Sequence, residues 1–183
     1  MLSALSQLIL KVWGFRIEGD VGNHIPKKVF AVVPHTSSWD FPMGLLIRSA
    51  KNIKVNFLGK DSLFKTPFGF LFRWLGGHPV DRSKRNQLVD YIVELYDQHD
   101  QFSLAIAPEG TRKKVEKLRT GFYHIARLAK VPIIMIKLDY ENKIIGFSPP
   151  LYPSGDQEKD FEKIHGFFKG VKGRHPEESF DPA

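Results

Sequence analysis

The feature that most constrains this chain is a pair of short apolar runs, each followed at once by a loop dense in polar side chains. Residues 28–33 (KVFAVV) lie between Pro26 and Pro34, and residues 102–107 (FSLAIA) end at Pro108. Both have strand length and little polar alternation, the pattern of strands covered on both faces. Further strands are expected at residues 15–18, 54–58, 132–138 and 143–147, the last two joined as a hairpin across Glu141 and Asn142. Helical spacing appears between them, from Ser38 to about Ala50, at 84–99, at 122–130, and in a last helix carrying Phe161, Ile164, Phe167 and Phe168. In the helix at 84–99 the apolar stripe is Leu88, Tyr91, Ile92, Leu95 and Tyr96. Alternating strands and helices predict one α/β domain over residues 1–183, with a mostly parallel central sheet flanked by helices. In such sheets the reactive loops sit at strand ends.

At 183 residues, with 42% hydrophobic and 26% charged side chains, the chain is long enough for a core of its own. It has no cysteine, which excludes disulfides, thiolate metal sites and a cysteine nucleophile. The net charge of +7 favours anionic partners. No nucleic-acid motif accompanies it, and aromatic residues are not interleaved with the basic stretches. The histidines show no metal-ligand spacing. No run approaches the roughly 20 apolar residues of a membrane span, and the first residues lack the pattern of a secretory signal. Residues 1–15 instead form an amphipathic helix, with Leu2, Leu5, Leu8, Ile9, Val12 and Trp13 on one stripe. That stripe fits a helix packed on its own core or one lying in a lipid interface.

Three loops hold residues suited to chemistry. Pro34-His35-Thr36-Ser37-Ser38-Trp39-Asp40 follows the first strand. With Ser37 or Ser38 as N-cap, Asp40 falls in the first helical turn, close enough to His35 to fix its tautomer and steady an imidazolium. Ser37-x-x-Asp40 also reads as a capping box, with Asp40 spent on backbone amides. Ala107-Pro108-Glu109-Gly110-Thr111-Arg112 follows the second strand; Gly110 permits a sharp turn, and Arg112 offers a planar fork to a phosphate. Gly76-Gly77-His78-Pro79-Val80-Asp81-Arg82 is a glycine turn ending in another cation. Phe64, Phe68, Phe70, Phe72 and Trp74, in short helical pieces over residues 64–75, suit an apolar slot, a lipid surface or plain core.

Together, in this order, the loops resemble those of the lysophospholipid acyltransferases, especially bacterial 1-acylglycerol-3-phosphate acyltransferases. His35 and Asp40 match the family's His, four residues, Asp. Gly77 and Arg82 match its second block, and Pro108-Glu109-Gly110-Thr111-Arg112 its third. Val131, Pro132 and Ile133 match its Val-Pro-Ile block, and Lys60 matches a lysine near the acceptor phosphate. Pro34 stands where the family has Asn, Lys113 where it has Ser, and Arg119-Thr120-Gly121 where it has Lys-x-Gly. The resemblance covers residues 28–140. It implies transfer of a fatty acyl chain from acyl-CoA or acyl carrier protein onto a lysolipid hydroxyl, with neither cofactor nor metal. In that reading His35 is the base and Asp40 its partner. Glu109, Gly110, Thr111, Arg112, Lys60 and Arg82 bind substrate, and no acyl-enzyme forms. It also implies work at the membrane surface, peripherally on the cytoplasmic face, without nucleic acid. The competing readings are an acyltransferase for a non-phosphate lipid acceptor and a non-catalytic basic module that binds lipid or nucleic acid.

Overall fold

The computed structural model describes residues 2–80 and 85–182, and the side chains of all of these except residues 85–87. The first half runs α1 (Leu2–Val12), β1 (Arg16–Glu18), β2 (Lys27–Val33), α2 (Asp40–Ala50), β3 (Asn56–Lys60), α3 (Asp61–Phe64), α4 (Gly69–Trp74) and β4 (Gly77–Val80). The second half runs α5 (Arg85–Gln98), β5 (Phe102–Ile106), α6 (Gly121–Leu128), β6 (Ile133–Asp139), β7 (Ile144–Phe147) and α7 (Gln157–Phe168), then a 3-10 turn at Pro176–Glu178. The strands form one sheet in the order β1-β7-β6-β2-β5-β3-β4. Strands β6, β2, β5, β3 and β4 are mutually parallel; β7 runs antiparallel to β6, and β1 runs alongside β7. The expected α/β architecture and the hairpin across Glu141 and Asn142 are both present.

The two-residue period of β2 divides the core. Val29, Ala31 and Val33 point to one face, where Ile92 and Tyr96 of α5, Phe122 of α6, and Ile164 and Phe168 of α7 cover them. Phe30 points to the other, against Met43 and Ile47 of α2, Leu10 of α1, and Ile134 and Ile136 of β6. Tyr91, placed on the buried stripe of α5 by its spacing, is instead exposed. The Tyr96 hydroxyl donates to the Lys28 carbonyl at 2.8 Å, tying α5 to the start of β2.

Residues 76–80 depart from expectation. The glycine turn is followed by an edge strand, with Phe57↔Gly77 and Lys60↔Val80 in register. Pro79 is tolerated there because an edge strand can spare an amide. Gly77 itself leaves room for Phe64: a Cβ would meet the Phe64 ring at 2.9 Å and the Phe72 carbonyl oxygen at 2.7 Å.

Helix α1 turns its apolar stripe outward. Ser6 and Leu10 are buried, while Ser3 Oγ and Gln7 Nε2 donate to the Ala50 carbonyl at 3.1 and 2.9 Å. The packed face is therefore narrow, Leu10 among small or polar side chains, and Leu2, Leu5, Leu8 and Val12 are left to solvent, Leu2 at 76% and Val12 at 74%. No helix among the described residues is long and apolar enough to cross a membrane.

On the opposite side of the sheet, Asp160 of α7 is almost fully buried and accepts from three donors: Tyr123 Oη at 3.0 Å, Ser154 N at 2.7 Å and Ser154 Oγ at 3.0 Å. Asp160→Ala leaves these donors without an acceptor and should destabilise the protein by at least about 2 kcal/mol in urea unfolding. None of these donors lies in the loops after β2 and β5, so the folded protein's chemistry should stay intact.

Candidate active site

Strands β2 and β5 are parallel neighbours, so their C-terminal ends open side by side. The chain leaves β2 toward α2 on one face and leaves β5 toward α6 on the other. A crevice results where the two loops diverge, the usual place for a ligand in an open α/β sheet. The loop after β2 carries His35, and the loop after β5 carries Glu109.

His35 Nδ1 lies 3.0 Å from Asp40 Oδ2. A carboxylate accepts, so Nδ1 is the donor of this pair, and in a neutral imidazole the lone pair then lies on Nε2. The same Asp40 Oδ2 accepts the Ser37 amide at 2.9 Å. Asp40 thus does both things its position allows, holding the turn and holding the imidazole. The helix cap differs from expectation: neither serine caps α2, which starts after Trp39 with no side-chain cap. Ser37 Oγ instead accepts the Trp39 amide at 3.2 Å, and Thr36 Oγ1 accepts the His175 amide at 3.1 Å.

Asp40's other oxygen is held from across the sheet. Tyr140, in the β6–β7 turn, donates its hydroxyl to Asp40 Oδ1 at 2.8 Å. Burial and the adjacent carboxylate push the Tyr140 phenol well above its ordinary pKa, so it remains a donor. Asp40 is buried, and both of its carboxyl oxygens are hydrogen-bonded. Nothing local in the sequence marks Tyr140, which stands 100 residues from Asp40.

Glu109 is placed differently from the expectation that it meets substrate. It is only 2% exposed, and its Oε2 accepts the His35 backbone amide at 2.6 Å. Burial pushes its carboxyl up to about 7, against the opposing pull of the His35 and Phe180 amides. Its geometry is that of a brace behind the histidine. Gly110 adopts φ +65°, and its amide donates to Ala107 O at 3.0 Å, so this amide is not free for a ligand. A Cβ at Gly110 would lie 2.7 Å from the Arg119 guanidinium, which therefore rests on the turn. Arg112 and Arg119 are both exposed there, and Thr111 is half-buried, its Oγ1 accepting the Lys113 amide at 3.3 Å. Lys60 is exposed at the C-terminal end of β3, on the same edge of the sheet. Arg82 lies outside the described residues.

The aromatic cluster divides. Phe64 is buried beneath the Arg73 guanidinium, and half-buried Phe72 meets it edge-on at 6.1 Å, so these two are core. Phe68, Phe70 and Trp74 are exposed, Phe70 at 71% and Trp74 at 77%, with Leu71 beside them.

The apolar slot lies elsewhere, beneath α2. A cavity of 250 Å³ starts at His35 and Asp40 and follows the helix past Gly44 and Ile47 to Arg48. Its other walls are Phe30, Val32, Phe57, Leu58 and Ile136. From Asp40 to Arg48 is about 12 Å of helix. Sequence inspection missed it because its lining comes from one helix and four strands.

A His–Asp pair thus stands at the mouth of an apolar cavity. Residues 18–138 match the family model described as Acyltransferase, and the chain belongs to that family. Among solved structures it is similar to the 1-acyl-sn-glycerophosphate acyltransferase PlsC from Thermotoga maritima. The TM-score is 0.59 at 18% identity, over 89% of this chain and 73% of that one. No curated protein matches the chain.

The raised Glu109 carboxyl makes a prediction about stability. Between its free value of 4.5 and about 7 the folded protein holds a proton that the unfolded chain has released. Folding stability should therefore fall as pH rises through that window, by as much as about 3 kcal/mol. Glu109→Gln keeps an acceptor for the His35 amide and should flatten this part of the pH profile, measured by urea unfolding from pH 4.5 to 7.5.

Proposed function

We propose that the protein moves a fatty acyl chain from a thioester donor, acyl-CoA or acyl carrier protein, onto the free hydroxyl of a lysophospholipid such as 1-acylglycerol-3-phosphate. The observation that carries this reading is the junction of the His35–Asp40 pair with the apolar cavity under α2. A chain lying in that cavity brings its thioester carbonyl to the imidazole. His35 Nε2 takes the acceptor's hydroxyl proton as the oxygen attacks the carbonyl carbon, and Asp40 steadies the imidazolium. The carbon–sulfur bond then breaks, and the departing sulfur takes the proton back. No acyl-enzyme is needed: cysteine is absent, and the hydroxyls beside His35, on Thr36 and Ser37, are buried and bound to backbone amides. Lys60, Arg112 and Arg82 hold the acceptor's phosphate in this scheme, with Arg119 added by its place on the Gly110 turn.

The reaction takes place at a membrane surface. The outward stripe of α1 and the exposed Phe68, Phe70, Leu71 and Trp74 are too extensive an apolar display for a face that meets only water. Both patches flank the same end of α2, α1 through Ala50 and α4 through the bond from Arg48 to the Leu75 carbonyl. Positive charge strengthens attraction to anionic lipid.

Two experiments test this. Incubation with radiolabelled acyl thioester and 1-acylglycerol-3-phosphate should give the diacyl product, and His35→Ala should abolish it with the fold unchanged. Asp40→Asn should lower kcat by roughly a hundredfold or more, with KM for the acceptor little changed. Normal turnover in the His35 variant would refute the assignment.

Leu5→Asp with Leu8→Asp removes apolar area only from the exposed stripe. It should weaken binding to anionic vesicles at least about tenfold, since each buried leucine contributes about 1.5–3 kcal/mol. Circular dichroism should show the fold unchanged, and a soluble short-chain acceptor should still be acylated. Unchanged vesicle binding would place the membrane contact elsewhere.

A further inference from the structure

A second cavity, of 680 Å³, opens on the other side of α2, between the end of α1, the β6–β7 turn and the loop after α7. Its size is that of an ordinary small-molecule site. Trp13 and Trp39 provide broad apolar walls, and Tyr140, bonded to Asp40, lines it as well. Two cations complete it. The Arg174 guanidinium lies 5.0 Å from the Trp39 ring centre, and Lys143 Nζ lies 4.9 Å from that of Phe15. Neither makes an ion pair with a described residue.

Both cations are exposed, and each stands on backbone held by hydrogen bonds. Gly173 N donates to Ser179 Oγ at 2.9 Å and His175 N to Thr36 Oγ1 at 3.1 Å, which pins the backbone on both sides of Arg174. Lys143 sits at φ +56°, a conformation most side chains avoid, and its carbonyl accepts the Arg16 amide at 2.8 Å. Aromatic support fixes each positive group while leaving N–H bonds for a ligand. Glu141, on the same wall, is the cavity's acid, and it leaves the lining net positive.

We propose that this cleft is an organic-phosphate site, distinct from the cations at Lys60 and Arg112. The phosphate lies against Arg174 and Lys143, and the attached carbon skeleton lies on the two tryptophans. The ligand's phosphate has two chemical sources, a nucleotide-bearing acyl donor or a glycerolipid headgroup. The choice of these two sources rests on the proposed transfer reaction, but the site itself can be tested without turnover.

The test is a tryptophan-fluorescence titration of the Trp74→Phe protein, in which Trp13 and Trp39 alone report. The probes are adenosine 3′,5′-bisphosphate, sn-glycerol 3-phosphate and inorganic phosphate, each to about 10 mM, so that dissociation constants near millimolar register. A saturable change with an organic phosphate is expected. Adding Arg174→Ala or Arg174→Gln should weaken it about ten- to a hundredfold, with circular dichroism unchanged, and adding Arg112→Ala should leave it intact. Tighter binding of the bisphosphate assigns the site to the donor, and tighter binding of glycerol phosphate assigns it to a lipid headgroup. Inorganic phosphate binding as well as both organic probes would overturn the role given to the tryptophan walls. No saturable change with any probe, or a change lost with Arg112→Ala but not with the Arg174 variants, overturns the proposal.

Discussion

A buried carboxyl group is costly unless its oxygens find donors. Asp40 meets that condition with three of them: the His35 ring, the Ser37 amide and the Tyr140 hydroxyl. These come from the loop after β2 and from the β6–β7 turn. Satisfying one acid therefore fixes the orientation of the imidazole, the path of the loop that carries it and the place where the hairpin packs. Glu109 extends the same logic from behind, since its carboxyl takes the His35 amide and joins the loops after β2 and β5 into one unit. The last part of that unit is the segment after α7, whose His175 and Phe180 amides reach Thr36 and Glu109.

The sheet makes this economy possible. Parallel strands β2 and β5 deliver both loops to one edge, and their helices depart to opposite faces. The cavity under α2 follows from that departure, and the helix presents Gly44, which has no side chain, to its lining. Nothing lies within 4 Å of where a Cβ on Gly44 would stand. The hydrocarbon slot thus belongs to the packing of one helix, while the proton-handling groups belong to the loop before it.

What could be read in the sequence was what local physics determines. Continuous apolar runs marked β2 and β5, and the strand–loop–helix spacing placed Asp40 beside His35. What could not be read depended on distant partners. Tyr140 is set by a hairpin that folds back across the sheet, and Phe64 differs from Phe68 only in which neighbours happen to cover it. The edge strand β4 has almost no strand propensity in its Gly-His-Pro-Val sequence and exists because β3 offers it a register. In α1 the spacing revealed a stripe correctly, but a period carries no sign. Ser6 and Leu10 took the inner face, and Ser3 and Gln7 at its margin bond the Ala50 carbonyl.

That inversion of α1 has a consequence for the protein in plain buffer. An uncovered row of leucines is balanced only by whatever can be laid against it. Without lipid or detergent, another copy of the same chain is one cover that could be laid there. Association of that kind would deepen by mass action as the protein is concentrated. Amphiphiles added to the solution would compete for the same face. The state of association would then be a property of the solvent as much as of the polypeptide.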